Sequence, residues 1–172
     1  MKLSKLIFTI FLFISFVSFS QEMDFSEEVG IYLNRNHSLD QYAYAYDQLL
    51  TMLENQYPKS DENLEAWKYL ETNKEKTLAE IKELLIPVYV RNFSQEEIEQ
   101  MILFYESDTG RQLAANRSKM TEGQKTELNT FYNSELGKRI IEKQPILTQE
   151  IGVVSEGWSR DLYETAVSLL KN

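Results

Sequence analysis

The chain has 172 residues and no cysteine. That absence excludes disulfides, thiol nucleophiles and Cys-ligated metal sites. It also excludes a lipid anchor of the kind attached to a cysteine at a cleavage point. Histidine occurs once, at His37, so zinc lacks its usual ligand set. A Ser-His-Asp relay would have to run through that one ring, and no G-x-S-x-G turn is present to supply its nucleophile. No EF-hand and no phosphate-binding loop occurs. Positive charge is scarce: 18 Lys+Arg stand against 27 Asp+Glu, for a net charge of −9. An acidic surface repels phosphate backbones and anionic headgroups, so nucleic acid is not an expected partner. Past the first twenty residues, no apolar run approaches the roughly 20 residues that a membrane span needs.

What is present begins with an export signal. Lys2 and Lys5 form a basic start, Leu6 to Phe19 an apolar run, and Ser18-Phe19-Ser20 a small-x-small cleavage site with Gln21 after it. This pattern predicts a signal peptide over residues 1–20 rather than a retained anchor. Cleavage would leave residues 21–172, which is 172 − 20 = 152 residues and one domain by length. Two basic and no acidic residues leave with the leader, so the charge becomes 16 − 27 = −11. The expected product has no membrane anchor and resides in the periplasm or outside the cell.

The remainder reads as helix. Leu39, Tyr42, Ala43, Tyr46, Leu49, Leu50 and Leu53 fall on one stripe of period 3.6. Ser38 and Gln41 fit a capping box before it. A second helix is expected after Ser60, with Leu64, Trp67 and Leu70 facing inward. Leu78, Ile81, Leu85 and Val88 continue the pattern beyond a polar stretch that breaks near Asn73 or lies exposed. Pro87 is expected to kink or end that helix. Ser94 and Glu97 form a capping box, with Phe93 and Ile98 at the hydrophobic-staple positions, and Thr121 with Gln124 forms another box. Leu147, Ile151, Val154, Trp158, Leu162 and Leu169 mark a last helix, with a bend expected around Pro145, Gly152 and Gly157. The pattern predicts an all-α bundle of five or six helices.

One decapeptide is written twice. FYESDTGRQL starts at Phe104 and FYNSELGKRI at Phe131, an offset of 27 residues. Phe104-Tyr105 matches Phe131-Tyr132, Ser107 matches Ser134, Gly110 matches Gly137, and Arg111 is replaced by Lys138. Read physically, each copy is a helix-to-helix corner. Phe-Tyr closes one helix, and the Ser caps the next for about 1 kcal/mol. The following acid, Asp108 or Glu135, meets the positive helix end. The Gly, having no side chain, lets the two helices approach closely.

These residues carry a resemblance. FSQEEIEQMILFYESDTGRQL, preceded by LLIPVY and followed by FYNSELGKRIIEKQPILTQE and Trp158, resembles the exported bacterial family called domain of unknown function 2059. The likeness covers roughly residues 78–169. The family often has Pro after the corner Ser, where this chain has Asp108 and Glu135; both choices suit a helix start. The doubled motif is a second departure. The resemblance implies an all-α fold and an envelope location, and it implies no established activity.

Other letters invite chemistry and have plainer readings. Asp108-Thr109-Gly110 matches an aspartic-protease triplet, but that enzyme needs two such aspartates, and the second copy reads Glu135-Leu136-Gly137. Ser168 to Lys171 matches S-x-x-K at the end of a helix. The acid pairs Asp61-Glu62 and Glu96-Glu97 suit helix starts. Tyr42, Tyr46, Tyr105 and Tyr132 would line a pocket for a sugar or apolar ligand, or fill the core. Arg111 and Lys138 would hold an anionic group or form surface ion pairs. The leading expectation is an exported, non-catalytic protein without cofactor or metal, binding a protein or a small ligand through helix grooves. An enzyme acting on cell-envelope polymers and a homo-oligomeric structural protein are the alternatives.

Overall fold

A computed structural model describes residues 24–171; the leader expected over residues 1–20 lies outside the described residues. The described chain is helical, without a strand. Its helices are α1 (Phe25–Arg35), α2 (Asp40–Gln56), α3 (Leu64–Thr72), α4 (Lys74–Asn92), α5 (Gln95–Glu106), α6 (Asp108–Asn116), α7 (Glu122–Asn133) and α8 (Glu135–Lys171), with one 3-10 turn at Arg117–Lys119. Eight helices replace the five or six expected. The chain breaks at single residues, Asn73 between α3 and α4, Ser107 between α5 and α6, and Ser134 between α7 and α8. In addition, α1 stands where the sequence pattern had shown no helix.

Side-chain caps set the starts of α5 and α7. The Ser94 hydroxyl accepts the Glu97 N–H at 3.2 Å while the Glu97 carboxylate accepts the Ser94 N–H at 2.8 Å. Thr121 and Gln124 exchange the same pair of bonds at 3.2 and 2.9 Å. Phe93 and Ile98 are both buried beneath the first box. The box expected at Ser38 does not form. His37 adopts a left-handed backbone with φ 60, and the Ser38 N–H donates to the Asn36 side chain at 2.8 Å. Ser38 thus lies inside the turn, and α2 begins two residues later without a side-chain cap.

Neither inner proline ends its helix. Pro87 lies within α4 and Pro145 within α8, whose 37 residues are continuous through Gly152 and Gly157. A helical proline deprives the carbonyl four residues back of its donor. Those carbonyls belong to Glu83 and Ile141, both on exposed turns that solvent reaches, so the loss is tolerated.

At 1.5 Å per residue, α8 is about 55 Å long, and it joins two apolar clusters. The larger gathers Val29, Leu33, Tyr42, Ile81, Leu85, Ile98 and Met101 with Leu136, Leu147 and Trp158 of α8. The smaller gathers Leu53, Trp67 and Leu70 with Ala166 and Leu170. Leu64, expected on the inner face of its helix, is 52% exposed because it is the first residue of α3 and precedes the packed turn. Polar links tie the larger layer together: Gln95 donates to Glu28 at 3.1 Å across α5 and α1, and Glu150 of α8 accepts from Arg91 and Asn92, each at 3.1 Å. Among the described residues, no helix is long and apolar enough to cross a membrane.

Candidate functional site

The two decapeptides build two corners of the same geometry. At the first, the Ser107 N–H and hydroxyl both donate to the Phe104 carbonyl, at 3.1 and 2.7 Å, which closes α5. The same hydroxyl accepts the Gly110 N–H at 3.0 Å, which opens α6. At the second, Ser134 donates twice to Phe131 O, at 3.1 and 2.6 Å, and accepts from Gly137 at 3.1 Å. Each serine therefore serves two helix ends at once. Gly110 and Gly137 are buried, each against the backbone of the preceding Phe-Tyr pair. Phe104 and Phe131 lie face to face with ring centroids 3.9 Å apart and planes 12° apart, so one corner rests on the other.

The remaining motif residues do not converge on a reactive centre. Arg111 pairs with Asp108 at 2.5 Å and Lys138 with Glu135 at 3.0 Å, each within its own helix turn and each well exposed. Such pairs carry little energy. Tyr105 stands edge-on to Tyr32 at 5.9 Å. Burial, reinforced by neighbouring Tyr132 and Tyr89, pushes its hydroxyl up to about 12. Tyr105 and Arg111 share a shallow cleft of 390 Å³ with Arg35, His37 and Glu106, whereas Tyr132 borders another of 370 Å³ with Met120 and Leu128. Asp108 of the protease-like triplet is an exposed first-turn residue, and Thr109 is buried, donating to the Glu127 carboxylate. Among the described residues, no three acidic or histidine side chains gather as a metal-binding cluster.

A larger concavity than these two clefts lies elsewhere. It is a groove of 580 Å³ between the α3–α4 break and α8, floored by α2. Tyr46, Leu70, Trp158 and Leu162 supply its apolar lining, and Tyr69 and Leu84 flank it at 46% and 49% exposure. Tyr46 is buried and donates its hydroxyl to the Leu70 carbonyl at 2.5 Å, which fixes α3 on α2. Burial holds that hydroxyl above its ordinary range. Trp158 is buried, its ring meets Tyr42 edge-to-face at 5.5 Å, and among the described residues its N–H has no acceptor. Lys76, Glu80, Glu83 and Asp161 form the charged border.

Of the four tyrosines read from the sequence as pocket-lining or core, Tyr46 is the one that lines this groove. Tyr42 is packed in the core, with its hydroxyl 2.7 Å from that of Ser155. The signal that marks the groove in the sequence is a pair of large apolar residues, Tyr69 and Leu84, beside rather than on their helices' buried stripes. Exposed apolar side chains flanking a concavity are informative where isolated ones are not.

Fold and corner geometry together define an all-α protein of helical hairpins turned on serine caps. The family model described as an uncharacterized protein conserved in bacteria, domain of unknown function 2059, matches the chain twice, over residues 79–122 and 116–164. The two stretches jointly span 79–164, half of the 172 residues, and each contains one corner. The chain belongs to this family. No curated protein and no solved structure matches it.

Proposed function

We propose that this chain is an exported, non-catalytic envelope protein that holds a small ligand in the groove between α3, α4 and α8. The observation that carries the reading is the groove itself. Its 580 Å³ falls within the range of small-molecule sites, and its lining combines aromatic and aliphatic side chains with a few polar groups. Support for export comes from the basic start, apolar run and small-x-small site at the N-terminus. The decapeptide corners serve the binding function indirectly, by fixing where α8 runs.

The test is a fragment screen on the isotopically labelled protein, read by amide and indole chemical shifts. Binding fragments are expected to move Tyr69, Leu84 and Trp158 together. Leu84→Glu, at a half-exposed position, should abolish those shifts without lowering the melting temperature. Fragments that bind only at other surfaces, or bind the variant equally well, would overturn the reading.

A further inference from the structure

We infer that the ligand of this groove is an organic cation with an apolar body; the inference rests on the groove being a binding site. Its border carries three carboxylates, Glu80, Glu83 and Asp161, against one ammonium, Lys76. Glu80 and Glu83 are three residues apart on α4 and so share one side of that helix. Among the described residues neither forms an ion pair. Asp161 projects from α8, across the groove, with Arg160 3.7 Å away. A cation entering the groove would meet carboxylates from α4 on one side and from α8 on the other.

The lining points the same way. Tyr69, half-exposed, brings an aromatic ring to the concavity, whose deeper lining includes the buried Tyr46 and Trp158. The face of an aromatic ring carries the negative end of its quadrupole and attracts alkylammonium groups, Trp most strongly. Leu70, Leu84 and Leu162 offer apolar surface beside those rings. A neutral apolar molecule would use the leucines and leave the carboxylates idle, and an anion would be repelled by them. A positively charged head on a hydrocarbon body engages both sets.

Three probes of one chain length separate the cases: octyltrimethylammonium, octanol and octyl sulfate, each titrated below its micelle concentration into the purified chain. Binding is followed by the Trp158 indole and the Leu84 and Tyr69 amide resonances. The cation is expected to bind about tenfold or more tighter than octanol, with octyl sulfate weakest. The double variant Glu80→Gln, Glu83→Gln is expected to reduce cation affinity several-fold and leave octanol unchanged. Added salt should weaken the cation alone. Equal binding of octanol and the cation, or preference for the sulfate, would overturn the cation assignment while leaving the groove as a binding site. Absence of shifts at the groove with all three probes would overturn both.

Discussion

Four glycines in this chain should respond to one substitution with opposite signs. Gly110 and Gly137 are third in their helices, where the new helix crosses the last turn of the old one. A Cβ built on Gly110 would sit on the Phe104 carbonyl and 2.6 Å from Tyr105 Cα; one on Gly137 would sit on the Phe131 carbonyl and 2.5 Å from Tyr132 Cα. The obstructing atoms are backbone, so no side chain can swing aside. The corner must open, and the serine cap would loosen with it. Overpacking of this kind costs about 3 kcal/mol at the upper end of its usual range. Gly152 and Gly157 also lie in a helix, but a Cβ there meets nothing within 4 Å, so alanine brings only its better helix propensity, about 1 kcal/mol. For a chain of this size each kcal/mol moves the melting temperature by about 2–4 °C. Thermal melts by circular dichroism should therefore show Gly110→Ala and Gly137→Ala about 6–12 °C below the parent, and Gly152→Ala and Gly157→Ala about 2–4 °C above it. If all four variants moved alike, or the corner variants melted with the parent, the close-approach account of the corners would be wrong.

Ser107→Ala and Ser134→Ala should each destabilise by about 1 kcal/mol through the lost cap, and urea melts in which neither moves would contradict the double role of these hydroxyls. Alkaline pH should destabilise the protein: Tyr89 and Tyr105 are both pushed up to about 12, chiefly by burial, so between pH 10 and 12 the unfolded chain sheds protons that the folded chain keeps. Their contribution is complete below pH 10 and is lost as pH rises, by about 2–3 kcal/mol each once pH passes 12; urea unfolding that is flat up to pH 11 would refute it.

How far the sequence could be read depended on how local the cause was. The capping boxes at Ser94 and Thr121 formed because both partners lie within four residues of one another, and the break at Asn73 followed a polar stretch visible in the letters. Ser38 failed because its neighbour His37 turned left-handed, and the spacing of polar residues does not encode that choice. Helix α1 escaped notice because its buried stripe, Val29, Tyr32 and Leu33, is one turn long and has Gly30 inside it. Pro87 does not end α4, because proline breaks a helix only where the orphaned carbonyl has no alternative partner, and exposure of that carbonyl is a tertiary fact. The groove was least legible. Its lining comes from α2, α3, α4 and α8, over a span from Tyr46 to Thr165, and no periodicity links residues so far apart.

The corners also explain why the family resemblance reveals architecture more readily than chemistry. The offset of 27 residues holds beyond the decapeptide. It separates the capping residues Ser94 and Thr121, the corner serines 107 and 134, and the glycines 110 and 137, and the helices between cap and corner, α5 and α7, are both 12 residues long. Length matters here, because one added residue would rotate the Phe by about 100° around its helix and end the stacking of Phe104 on Phe131. The serine hydroxyls, the glycine surfaces and the stacked rings are all engaged in holding two hairpins together, and Arg111 and Lys138 pair within their own turns. The groove is lined by other residues. Tyr46, Tyr69, Leu70, Asn73, Lys76, Thr77 and Thr165 of the groove lie outside the stretch 79–164 that the family model matches. The shared segment therefore sets the course of α8, and α2 and α3 complete the groove against it. Under the proposed binding role, what a relative binds should be read from its counterparts of the groove residues on α2, α3, α4 and α8, not from its copy of the corner.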